Sequence, residues 1–340
     1  MIFPDELWSV CDKKSFEGFS IRLIDRHSFN LHFSPAWPAQ DIKHALTLNL
    51  CSDAAMHGAW NIYCITTNEF DITPILNSYN RDQHGKLDMN GDTEIVAFYD
   101  SLNHIFRIYD LTKKYAAIIY PSNPSFNEWD IHSPLREFFH IWALRNNALL
   151  IHSGIVSEDG VAVLMPGAGG SGKSTTVISC LQENMTTTGD DYNLVYKDDG
   201  VFRVCPIYNN LKLKTAKANR PSFSFPVTQN WESKNLSYAE KIIYYPQANS
   251  HIWDRSGPKI SGILCPDIAK SSACEPAIIP VKYTGLINRL AVSSIMQSPF
   301  MAKEYLAMSM LLAKQSRIAG ISLSTDTKAN AECIRSWLRS

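Results

Sequence analysis

Residues 161–174 read VAVLMPGAGGSGKS, and the fold turns on this stretch. An apolar run of strand character passes into a glycine loop that fits G-x-x-x-x-G-K-[ST] at each fixed position, Gly167, Gly172, Lys173 and Ser174. At average composition, a chance match somewhere in a chain of this length is on the order of one per cent. STTVISCLQE (174–183) then has the character of a helix, so the loop has a strand before it and a helix after it. The ligand class this implies is a polyphosphate with a metal ion.

Gly167, Gly169, Gly170 and Gly172 let the backbone aim successive N–H groups at one point. Together with Ala168, Ser171, Lys173, Ser174 and Thr175 they form the candidate nucleotide-binding stretch. The helix that follows adds its free N–H groups and the positive end of its dipole. Lys173 is expected to reach the outer phosphates, and the Ser174 hydroxyl to ligate magnesium.

Working outward, ALLIHSGIVS (148–157) is a second apolar run, joined to the first by EDG, a hairpin signal. His152 lies on that strand, where it faces the phosphate loop if the hairpin folds in the usual way. It is read either as a donor to phosphate oxygens or as an ordinary structural histidine. On the other side, MTTTGDDY (185–192) reads as a short strand ending in Asp190 and Asp191. Carboxyl ends of strands line the ligand crevice in open α/β sheets, so one acid there can hold metal-bound water and the other take a proton. The competing reading is an exposed, solvated Asp-Asp turn.

Residues 1–130 read as a β-rich domain. SIRLID (20–25), HALTLNL (44–50), NIYCITT (61–67), EIVAFYD (94–100), HIFRIYDLT (104–112) and YAAIIYP (115–121) have strand character. SPAWPAQ (34–40) and MNGD (89–92) carry turn chemistry between them. PSNPSFNEWDIHSP (121–134) marks the boundary, and residues 131–340 form the second domain. That domain opens with a helix in SPLREFFHIWALRN, with Ser133 as cap, Pro134 in the first position and His140 as a packing residue. Near its end SPFMAKEYLAMSMLLAKQ (298–315) reads as an amphipathic helix with Phe300, Tyr305, Leu306, Met308 and Leu312 apolar. ISLST and TKANAECIRSWL give a last strand and helix.

Composition sets outer limits. The formal net charge is -1, which offers no basic field for nucleic acid or an acidic membrane surface. No apolar run approaches the roughly 20 residues that a membrane-spanning helix needs. The eight cysteines form no C-x-x-C pair and read as reduced thiols of a cytoplasmic protein.

Taken in order, His152-Ser153-Gly154, the glycine loop and Asp190-Asp191 resemble the catalytic domain of the HPr kinase/phosphorylase family. IWDRSG (252–257) resembles that family's aspartate-arginine-x-glycine element, and residues 277–296 resemble the segment after it. The fold class implied is an α/β P-loop kinase domain of HPr kinase type behind a β-rich (α+β) N-terminal domain. The resemblance implies ATP and Mg²⁺ as cofactors, Asp191 as the base, and Arg255 as the residue that stabilises the transferring phosphoryl group. Asp190 and Ser174 are left to the metal. VCPIYNNLKLK (204–214) lacks the acid that the family carries there, which suggests Lys212 or Lys214 directs charge at substrate. PVKYTG keeps Lys282 and Gly285 but not the family's loop pattern for the reverse reaction.

The resemblance implies a serine kinase acting on a peptide or protein, as the tail kinases of lasso-peptide biosynthesis do. The family also forms hexamers, which puts a homo-oligomer among the expectations. Two other readings stay open at this point: a kinase of a free amino acid or sugar, and a nucleotide-sensing regulatory module.

Overall fold

The computed structural model describes residues 3–24, 27–52, 58–89, 94–214, 226–232, 241–268, 275–295 and 301–340. The chain falls into two compact units, Met1–Pro134 and Leu135–Ser340, and both mix helices with mixed sheets.

The first unit contains α1 (Asp5–Lys13), β1 (Glu17–Leu23), β2 (His27–Phe33), α2 (Ala39–Ala45), β3 (Leu50–Cys51), β4 (Trp60–Thr66) and α3 (Thr73–Ser78). It continues with β5 (Ile95–Asp100), β6 (Ile105–Asp110), β7 (Tyr115–Tyr120) and α4 (Glu128–His132). Its seven strands form one sheet in the order β3-β1-β2-β4-β7-β6-β5, with β4 parallel to both of its neighbours. Leu7, Trp8 and Cys11 of α1 pack with Ile65, Phe106, Ile108 and Ile119 on one face.

Two local readings of this unit are corrected. HALTLNL is not a strand: α2 buries Ala39, Ile42 and Ala45 at helical spacing, a short 3₁₀ turn follows, and only Leu50–Cys51 pairs in the sheet. Ser133 does not cap the next helix. Its N–H closes α4 on Trp129, and α4 itself starts with a capping box of Asn127 and Asp130. The Asn-Gly turn of residues 89–92 falls, beyond Met89, outside the described residues.

The second unit runs through α5 (Arg136–Arg145), β8 (Ala148–Glu158), β9 (Val161–Pro166), α6 (Lys173–Gln182), β10 (Tyr192–Asp198), β11 (Val201–Pro206) and β12 (Leu211–Lys214). Then come β13 (Val227–Glu232), β14 (Lys241–Pro246), β15 (Lys259–Ile268), β16 (Ala277–Ile279), α7 (Tyr283–Ile287) and a π-helical turn, Asn288–Val292. The unit ends with α8 (Ser293–Ile295), α9 (Ala302–Gln315), β17 (Arg317–Leu323) and α10 (Thr327–Arg339). The main sheet has the order β11-β10-β8-β9-β15-β17-β16, and β12-β14-β13 make a second, small sheet.

The path of β8 places everything that follows. Its second half pairs with β9, from Glu158↔Val161 to Ser153↔Pro166. Its first half pairs with β10, from His152↔Tyr192 to Ala148↔Tyr196. Thus β9 ends and β10 begins at the middle of β8, on its two sides. The β8–β9 hairpin and the β10–β11 hairpin each turn on an Asp-Gly pair with positive φ, Asp159-Gly160 and Asp199-Gly200, as two-residue turns require.

The core around β8 joins Leu149, Ile151 and Ile155 to Leu164, Ile263, Tyr305 and Leu312. His140 packs here as expected, buried and stacked on the Tyr305 ring. In α9 Tyr305 and Leu312 face inward while Leu306 is exposed; Phe300 lies outside the described residues. Helix α5 starts only at Arg136, because Leu135 takes a left-handed conformation between the two helices. Four described cysteines are buried and three half-buried, and among the described residues none forms a disulfide; Cys274 lies outside the described residues. Among the described residues, no helix is long and apolar enough to cross a membrane.

Candidate functional site

The loop of residues 167–172 leaves β9 and turns into α6. Gly170 and Gly172 have φ of +85° and +96°, conformations that a side chain resists. Gly167 is held for another reason, since a Cβ there would lie 2.6 Å from Ser171 Oγ. A Cβ at Gly169 or Gly170 would meet nothing, so that flank of the loop is open. Gly172 caps α6, and Thr176 N–H makes the first bond back to it. The N–H groups of Lys173, Ser174 and Thr175 are therefore those that a helix leaves without an internal partner.

Lys173 is buried, and its Nζ donates to the carbonyls of Gly167 at 2.6 Å and Ala168 at 3.1 Å. Burial lowers its pKa, against the pull of Asp191 and Asp190. Gly154 of β8 lies beneath it: a Cβ at this position would lie 2.9 Å from Val177 Cγ2 and 3.7 Å from Lys173 Cβ. The glycine of the His-Ser-Gly element thus lets α6 sit directly on β8.

The two acids do not end a strand. Residues 185–191 are irregular, with single bridges from Thr186 to Ser157 and from Thr187 to Trp253. Thr187 Oγ1 donates to the Ile155 carbonyl and accepts the Gly189 N–H, and Asn193 Nδ2 donates to the Ser153 carbonyl. Side chains thereby take over bonds that a ladder would supply. The acids lead into β10, whose start lies across β8 from the end of β9, so they approach the loop from the other side of that strand.

Asp190 is buried; its Oδ2 accepts the backbone N–H of Lys212 at 2.9 Å. Its Oδ1 makes no hydrogen bond among the described residues. Burial, then the charge of Asp191, push its carboxyl up to about 6, against the Lys212 N–H and the Ser174 hydroxyl beside it. Asp191 has Oδ1 3.0 Å from His152 Nε2 and Oδ2 2.5 Å from Lys212 Nζ. Burial works to raise Asp191, but Lys212 and His152 override it and hold the carboxyl well below its usual range. The adjacent acids are driven apart, a pattern found where such groups have separate tasks.

Lys212 or Lys214 is expected to direct charge at substrate; Lys212 points inward at Asp191, and the side chain of Lys214 lies outside the described residues. Arg136 has no sequence signal beyond its charge. Arg136 lies over the Tyr192 ring at 5.5 Å, and that ring stacks on His152. The backbone N–H of His152 also donates to Ser294 Oγ.

Among the described residues Arg255 makes no hydrogen bond or ion pair with Lys173, Asp190 or Asp191. It is exposed, its neighbour Asp254 bonds Thr187, and Gly257 bonds Arg203. Four residues on, Lys259 pairs with Val161 at the start of β9, whereas the glycine loop leaves the end of β9. Lys282 is exposed at the start of α7.

The arrangement suits a magnesium polyphosphate. An open glycine cradle, a helix N-terminus and a buried lysine meet a carboxylate with one free oxygen beside a serine hydroxyl. Among the described residues, no three His, Cys, Asp or Glu side chains group as a metal cage. Magnesium bound with a nucleotide needs only one or two carboxylates besides the phosphates. A scan against models of protein families found no match to the chain, and a search of curated proteins found none either.

Proposed function

We propose that the chain is a kinase that uses ATP and Mg²⁺ to phosphorylate a serine hydroxyl of a peptide or protein. The observation that carries this reading is the meeting of Lys173, Asp190 and Asp191 at the middle of β8, with Asp190 Oδ1 open and Ser174 beside it. A P-loop kinase domain of the HPr kinase type is the fold this reading adopts.

Bound ATP with its metal ion would supply the phosphoryl group and neutralise its charge. Ser174 and Asp190 would hold the ion, and the N–H groups of the loop would orient the phosphates. Lys173 would leave the loop carbonyls for the outer phosphates. The serine oxygen bonds to phosphorus as the bond to the departing diphosphate breaks, and Asp191 takes the hydroxyl proton. A carboxylate held as low as Asp191 receives that proton late, which suits a loose transition state whose catalysis is mostly positioning. His152 and Lys212 fix its direction. On this reading the partner is a peptide or protein acceptor, with no nucleic acid, and the chain works in the cytoplasm with its thiols reduced.

The test combines the purified chain, Mg²⁺ and γ-labelled ATP with a lysate of source cells, comparing wild type with Asp191→Asn. One labelled polypeptide, seen only with wild type, is the expected result. Label confined to free phosphate or to a small metabolite would remove the reading.

A further inference from the structure

Four carboxylate oxygens stand at the middle of β8, and three are taken. Lys212 holds one on each acid, through its backbone N–H to Asp190 and its ammonium to Asp191, while His152 faces the third. Only Asp190 Oδ1 is without a hydrogen bond among the described residues. The carboxylates therefore offer room for one divalent ion, beside Ser174. Kinases that use two ions hold them on acidic and amide side chains, and Asp191 would have to give up a partner to join such a pair.

Lys212 is built into its position. It lies on β12, an edge strand of the small sheet, in register with Ile243. A main-chain donor on an outer edge can meet Asp190 without breaking a ladder bond, and the same residue then sends its side chain to Asp191. A lysine ammonium is a compact point charge, suited to the place of an ion.

We propose that Lys212 is a positioning residue, a cation supplied by the chain in the place of a second divalent ion, which holds Asp191 in its orientation while a single ion serves Ser174 and Asp190. This rests on the kinase reading above.

The experiment counts Mn²⁺ bound to the full chain with a non-hydrolysable ATP analogue, by paramagnetic resonance and calorimetry. Wild type and Lys212→Arg are expected to bind one ion per chain. Lys212→Asp, shown folded by circular dichroism, is expected to bind two. Lys212→Met should slow transfer on the order of a hundredfold with KM for nucleotide unchanged, and Lys212→Arg should recover most of the rate. Two ions on wild type, or one on folded Lys212→Asp, would overturn the role of Lys212 and leave the kinase reading standing. Wild type binding no Mn²⁺-nucleotide would remove the kinase reading, and this inference with it.

Discussion

His152 Nε2 stands 3.0 Å from Asp191 Oδ1, and the His152 ring is packed against Tyr192, the first residue of β10. The histidine reaches Asp191 and not the loop carbonyls, which Lys173 occupies. On the kinase reading, His152→Ala should slow phosphoryl transfer by about tenfold to a hundredfold, because Asp191 loses one of its two side-chain partners. Nucleotide affinity should stay as it was. Single-turnover rates beside equilibrium nucleotide binding would separate the two.

The acids have opposite effects on stability. Asp190 is raised from 3.8 to about 6, so the folded chain holds that proton more tightly than the unfolded chain does. Its contribution is fully present below about pH 4 and is lost as pH rises to about 6, by roughly 3 kcal/mol. Asp191 is lowered, so its contribution is present above the unfolded value of 3.8 and is lost as pH falls through the folded one. Metal-free thermal unfolding across this range should show a fall between pH 4 and 6 in wild type that Asp190→Asn lacks. Identical profiles would mean that the buried carboxyl is not strained.

Gly154 offers a purely steric test. A methyl group there would collide with Val177 of α6, so Gly154→Ala should cost about 1–3 kcal/mol and weaken nucleotide binding as the helix shifts. The added substitution Val177→Ala should restore much of both. Chemical denaturation and nucleotide titration of the single and double variants would measure this.

Arg255→Ala should change stability by no more than about 0.5 kcal/mol, as for exposed positions away from special features. Nucleotide affinity should be unaltered as well. A large loss of nucleotide binding would show that the segment around Arg255 closes on the loop in solution.

The sequence was most readable where one local rule dictates the geometry. GAGGSGKS demands its glycines, and an Asp-Gly pair between two apolar runs demands a tight hairpin. It was least readable where side chains replace main-chain bonds. MTTTGDDY has the β-branched run of a strand, but Thr187 and Asn193 satisfy its backbone from the side. HALTLNL alternates apolar and polar residues, yet its start closes a helix that buries Ala39, Ile42 and Ala45, its middle is a 3₁₀ turn, and only Leu50 pairs in the sheet. The grip of Lys212 on the acids spans 21 and 22 positions in the chain, and no spacing rule reports such contacts.

The two Asp-Gly turns close strands whose other ends meet at the middle of β8. Each turn is thus separated from the acids and the glycine loop by the length of a strand. They offer attachment points: a fluorophore, an affinity handle or a surface tether at Asp159-Gly160 or Asp199-Gly200 would report on or immobilise the chain without entering its chemistry.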